Sequence, residues 1–248
     1  VRAALPDEDL VYLADQAHVP YGDRSDDELA RYLEDNVAFL DECGVDAVVM
    51  GCNTSCAVAA RRGWPAARAR VFDLIAAAAE AVVASGARRV GVIATSATAR
   101  SGAYGNAIRG LASGIAVEEV AAPALVPLVE AGVLHGDEAR AAVESACAPF
   151  RAPLDALVLA CTHFPFLDEQ FAAVLGDGVL RIDPSSAQAE RAVAFATARG
   201  DGGGTGRTRF VTTGPLEPFR AALPAFVGAL RADDAIETAT VARYTRKI

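Results

Sequence analysis

Val45-Asp46-Ala47-Val48-Val49-Met50-Gly51-Cys52 and Leu154-Asp155-Ala156-Leu157-Val158-Leu159-Ala160-Cys161 carry one pattern twice, with their cysteines 109 residues apart. In each, an aspartate opens a short unbroken apolar run and a cysteine closes it. A run of this kind, too short for a helix, predicts a parallel strand buried on both faces. The match extends outward on both sides. Ala17, Val19 and Pro20 recur as Ala124, Val126 and Pro127, and Asp73 and Glu80 recur as Asp183 and Glu190. Pairs kept in the same order predict two related units, each setting a cysteine at the carboxyl end of a parallel strand, where open α/β sheets bind ligands.

Further apolar runs predict buried strands at Leu10 to Ala14, Ala47 to Met50, Val71 to Asp73, Val90 to Ala94, Val117 to Val120, Ala156 to Ala160, Val179 to Ile182 and Phe210 to Thr212. Helical stretches separate them, so the fold class is α/β with mostly parallel sheets flanked by helices. The helix before the first cysteine is marked by Ser25 as N-cap, Glu28 as its capping-box partner and Gly44 at its end. The glycine-rich stretch Gly200 to Gly206 precedes a strand and reads as a surface loop, not as a phosphate cradle. The repeat also shows a gap. Val1-Arg2-Ala3-Ala4 aligns with Ile108-Arg109-Gly110-Leu111, so Val90 to Ala94 and the loop Thr95-Ser96-Ala97-Thr98 lack a first copy. The expectation is that about 20 residues, a strand, a loop and a helix turn, belong upstream of Val1.

Composition narrows the function. The net charge of -9, from 23 basic and 32 acidic residues, argues against nucleic acid as a partner and for a small-molecule substrate. No apolar run is long enough to span a bilayer and no signal-peptide core is seen, so a cytoplasmic protein with no membrane partner is expected. Five cysteines without a dense framework predict free thiols in a reducing compartment. Lys247 is the only lysine and stands beside the chain end, which argues against a pyridoxal phosphate Schiff base. With no dinucleotide fingerprint and no Walker loop either, no cofactor and no metal are expected.

Both cysteines lead into polar residues, Cys52-Asn53-Thr54-Ser55 and Cys161-Thr162-His163-Phe164-Pro165. A thiol between a strand end and a helix start meets unpaired N–H groups and the positive end of the dipole, which favour the thiolate. With an ordinary pKa of about 8.5, one such thiol can be ionised while the other keeps its proton, as a two-base proton exchange requires. His163 is a candidate to hold Cys161 in its ionised state, and Glu130 to orient His163. Asn53, Thr54, Thr162, Thr95 and Thr98 supply neutral hydrogen bonds for a substrate's carboxylates and ammonium, and Tyr21-Gly22 forms a loop at the same cleft. Cys43, Cys56 and Cys147, on helices without this context, are read as packing residues, and His18 and His135 as loop or surface residues.

In these strings the chain resembles the glutamate racemase family: Gly51-Cys52-Asn53-Thr54, Ala160-Cys161-Thr162-His163-Phe164-Pro165, Asp15-Gln16-Ala17-His18-Val19-Pro20-Tyr21-Gly22 and Val126-Pro127-Leu128-Val129-Glu130. The resemblance covers roughly residues 1 to 228. It implies that Cys52 and Cys161 are catalytic acid/bases supported by His163 and Glu130. Tyr21, Gly22, Asn53, Thr54, Thr162 and His163 would then contact substrate. It implies two pseudo-symmetric domains, 1–86 plus 207–248 and 87–206, with the active site between them and a homodimer as an allowed assembly. The family makes D-glutamate for peptidoglycan without cofactor or metal. It opens with a strand and an Asp-Ser-Gly loop, the piece that the internal repeat lacks.

Other readings compete at this point. Aspartate and hydantoin racemases share the paired cysteines. Cys52, Cys56, Cys161 and His163 offer the ligand types of a zinc site, although their spacing is unlike a structural one. A non-catalytic relative that binds an acidic amino acid or a protein partner is the third.

Overall fold

The structure is a computed structural model that describes residues 1–200 and 204–241. Lys247 and the central part of the glycine-rich stretch lie outside the described residues. Among those described, each strand read from the sequence is present, displaced by a residue or two at its ends. They are β1 (Leu10–Ala14), β2 (Ala47–Val49), β3 (Arg70–Phe72), β4 (Arg89–Ala94), β5 (Ala116–Ala121), β6 (Ala156–Ala160), β7 (Leu180–Ile182) and β8 (Thr208–Thr212). A further strand, β9 (Ala235–Thr238), was not anticipated.

All pairings are parallel. A four-stranded sheet runs in the order β5-β4-β6-β7, with β6 inside it and buried at every position. Its residues alternate in the way a strand must. Ala156, Val158 and Ala160 join a core with α3 (Leu74–Ser85) and α5 (Ala103–Leu111). Leu157, Leu159 and Cys161 join a core with α6 (Leu125–Glu130), α7 (Gly136–Cys147) and α8 (Asp168–Leu175) on the other face. Helices thus cover both faces, which is why β6 reads as an unbroken apolar run.

The other half of the molecule is arranged differently. β1, β8 and β9 form one sheet and β2 and β3 another. In the larger sheet β4 bonds to both β5 and β6, whereas β1 and β2, which occupy the corresponding places in the repeat, share no ladder. β1 and β2 therefore lie in separate sheets, where β5 and β6 are joined through β4. Val49 is 36% exposed while its repeat copy Val158 is fully buried. The expectation that all strands are buried fails here and at β1, where Tyr12 is 51% exposed, because these strands lack the second neighbour that encloses β6.

The helix α1 (Asp26–Glu42) buries Leu29, Leu33 and Val37, one stripe at a spacing of four. The reciprocal bonds of Ser25 and Glu28 close its start. Gly44, at φ 75°, takes the left-handed turn after it. Asp73 and Asp183, matched in the repeat, both cap the helix after the third strand, accepting from the N–H of Ile75 at 2.9 Å and of Ser185 at 2.8 Å. The helix Leu216–Val227 covers the β1-β8-β9 sheet through Phe219 and Leu223.

Candidate active site

Cys52 follows β2 and takes the N-cap position of α2 (Asn53–Arg62), with extended backbone at φ −136° and ψ 112°. Its side chain makes no capping bond, so the sulfur stands at a helix start whose N–H groups it does not tie up. Asn53 and Thr54, in the first turn, are each only 4% exposed.

Cys161 follows β6 and is 6% exposed. A turn of 3-10 helix, Phe164–Leu167, succeeds it before α8 begins. Burial disfavours its thiolate, and the nearby Cys52 adds to burial; the backbone N–H groups of His163 and Phe164, the latter bonded to the Cys161 carbonyl at 3.0 Å, favour the anion but are outweighed. The thiol is pushed up to about 12. The sequence expectation that its setting favours ionisation is thus corrected: desolvation in an apolar core wins over two N–H groups. β4 pairs with β6, and Thr95 and Thr98 after β4 meet Thr54 in the turn after Cys52, so the two cysteine turns lie in one region.

Behind Cys161, His163 presents Nδ1 at 3.7 Å from the sulfur and Nε2 at 2.5 Å from Oε1 of Glu130. Glu130 is the last residue of α6, and its side chain is 69% exposed. A carboxylate, an imidazole and a thiol therefore stand in line from solvent to core. Thr162 sits between Cys161 and His163 in the same turn, half-buried.

The neutral donors come together from both halves of the chain. The Thr54 hydroxyl lies 3.1 Å from that of Thr95 and 3.3 Å from that of Thr98. Thr95 caps the short helix α4 (Ser96–Ser101), and Thr98 is completely buried. A Cβ placed on Gly22 would lie 3.5 Å from Cβ of Thr95, so the Tyr21-Gly22 loop packs against this hydroxyl cluster. Tyr21 is near enough to Cys52 for its titration to feel that thiol, and burial followed by the bond to Asp15 pushes the phenol far up. It stays protonated and donates to Asp15.

Sequence reasoning assigned no role to three residues at this place. Asp15 accepts from the hydroxyls of Tyr21 and, at 2.8 Å, Thr213, and faces Nδ1 of His18 at 2.8 Å. Its position at a strand end, six residues before Tyr21, was the available signal. Thr213, just past β8, links the returning C-terminal segment to that carboxylate. Tyr104 donates its hydroxyl to Oδ1 of Asn53, and nothing in the sequence announces a contact made across 51 residues.

The remaining cysteines lie elsewhere. Cys56 is fully buried with its thiol against Asp73, Cys147 is buried at the end of α7, and Cys43 ends α1 near Arg209. The zinc reading finds no support in the side-chain positions: among the described residues no three His, Cys, Asp or Glu are gathered as a metal group. A recess lined in part by Arg61, Asp73, Ser101 and Asn106 includes none of the predicted site residues. Among the described residues no helix is long and apolar enough to cross a membrane.

Residues 1–192 match the family model of the Asp/Glu/hydantoin racemases. The chain is 39% identical over 239 residues to the glutamate racemase of Desulforudis audaxviator, covering 92% of this chain and 88% of that one. Among solved structures it is similar to the glutamate racemase isoform RacE1 from Bacillus anthracis, with a TM-score of 0.84 at 28% identity over 95% of this chain and 88% of that one. It is also similar to the Francisella tularensis glutamate racemase in complex with D-glutamate, with a TM-score of 0.82 at 27% identity over 98% and 91%. With its repeated strand-end cysteines and this match over most of its length, the chain belongs to the Asp/Glu/hydantoin racemase family.

Proposed function

We propose that this protein racemises glutamate without a cofactor, passing the Cα proton between Cys52 and Cys161, and so supplies D-glutamate for peptidoglycan. The observation that carries the reading is that two cysteines, each ending a repeated strand, are joined by a hydroxyl cluster: Thr54 in the turn after Cys52 meets Thr95 and Thr98 after β4, the strand paired with the one that ends in Cys161. Glutamate is favoured over aspartate by relatives that bear the name glutamate racemase and cover most of the chain.

In the resting state Cys161 is the protonated partner, because its surroundings disfavour the anion. Cys52, at a helix start, is the partner that takes the Cα proton as the thiolate. The electron pair of the broken C–H bond moves toward the carboxylate, and Cys161 then gives its proton to the opposite face. The negative charge has passed from one sulfur to the other, and the carbon has inverted. In the reverse direction Cys161 must act as base, and the imidazole of His163, backed by Glu130, is placed to hold the proton its thiol gives up. Asn53, Thr54, Thr95, Thr98, Thr162, Tyr21 and Gly22 bind the carboxylates and ammonium. Donors that need no reorientation stabilise the charge that develops there.

The same reading divides the chain into 1–86 plus 207–248 and 87–206, with the ligand between; the parallel pairing of β1 with β8 supports the return of the C-terminal segment. Five free cysteines suit a cytosolic setting. Circular dichroism of L-glutamate incubated with the protein tests the proposal. The signal should decay to zero with the parent chain, and Cys52→Ala and Cys161→Ala should each slow the decay by about 10²-fold or more, as for loss of a positioned acid/base. An undiminished rate in either variant would remove the two-thiol mechanism.

A further inference from the structure

Asn53 is almost entirely enclosed, yet only one end of its amide is engaged. Oδ1 accepts from the Tyr104 hydroxyl, while Nδ2 is buried with no partner. A buried amide N–H without an acceptor bears the full desolvation cost of the group, so a structure that keeps one has a use for it. Tyr104 is itself fully buried. It reaches Asn53 because Gly102, at φ 63°, turns the chain in the left-handed region between α4 and α5. If the amide flipped, Nδ2 would face the phenol and Tyr104 would lose Asn53 Oδ1, the acceptor that its hydroxyl has among the described residues.

We infer that Tyr104 is a positioning residue: its hydroxyl locks the Asn53 amide in the orientation that points Nδ2 at the substrate, as a donor to one of its carboxylates. The inference rests on the reading above, in which Asn53 borders the substrate. It assigns a role to a side chain that touches no substrate atom, and it ties α5, from one half of the chain, to the binding turn of α2 in the other.

Tyr104→Phe keeps the ring and removes only the oxygen. KM for L-glutamate should rise about tenfold, the worth of one hydrogen bond to a charged group, with kcat changed far less. In an Asn53→Ala background the same substitution should add nothing, because the group it positions is gone. An unchanged KM, or an equal loss in both backgrounds, would overturn the inference and mark Tyr104 as a packing residue. If the parent chain neither racemises nor binds glutamate, the proposed function fails by itself. The orientation is then read from the ¹⁵N–¹H signals of the Asn53 side-chain amide, which should move toward those of a free amide in Tyr104→Phe. Unmoved signals would refute the lock whatever the activity.

Discussion

Cys52 and Cys161 occupy the same place in a repeated strand and live in different surroundings. The sequence made their positions legible, through the repeat and the polar residues that follow each. It could not show which thiol is enclosed, since that depends on helices α6 to α8 closing over one face of β6. Burial raises the Cys161 thiol to about 12, well above an unfolded cysteine near 8.5. A raised pKa means that its contribution to stability is fully present below the unfolded value and is lost as pH climbs through the folded one. The ultraviolet thiolate signal that Cys161→Ser removes from the parent chain should therefore be absent at pH 8–9 and emerge only toward pH 12. A difference already developed at pH 9 would show that the sulfur is solvated. Tyr104 illustrates the opposite limit, for its partner Asn53 stands 51 residues away and no local pattern names it.

At the scale of elements, apolar runs located every strand that is flanked by helical sequence. β9 escaped because Ala235-Ile236-Glu237-Thr238 is short, half-exposed and carries a carboxylate, so it has neither the alternation nor the continuous apolarity that marks a strand. The turn after Cys161 also differed from expectation: Pro165 removes a backbone donor, and the chain forms a 3-10 turn before α8. The repeat predicts equal strands, yet β6 has a ladder on each edge and β2 has one, with β3. Hydrogen exchange should accordingly be faster at Ala47, Val48 and Val49 than at Ala156, Leu157 and Val158. Equal protection of the two strands would mean that β2 is paired on both edges in solution.

For the molecule as a whole, duplication explains both the fold and the placing of the site. Two copies of a strand-cysteine-turn unit supply two thiols, and in the proposed reading helices shared between the halves bring them together. α3 belongs by sequence to the first half, but it packs in the same core as β4, β6 and α5 of the second. The hydroxyl cluster of Thr54, Thr95 and Thr98 joins the halves again at the site itself. The repeat could announce the copies, though not how they meet, because the contacts between them have no periodicity to read.

The account turns on two separate sulfurs serving the two faces of one carbon, and racemisation of L-glutamate in D₂O tests this most directly. Sampled early, the D-glutamate formed should carry solvent deuterium at Cα while the L-glutamate recovered carries almost none, because each face meets its own thiol. Deuterium appearing equally in both enantiomers from the start would mean that a single base serves both faces, and the two-thiol account would be wrong.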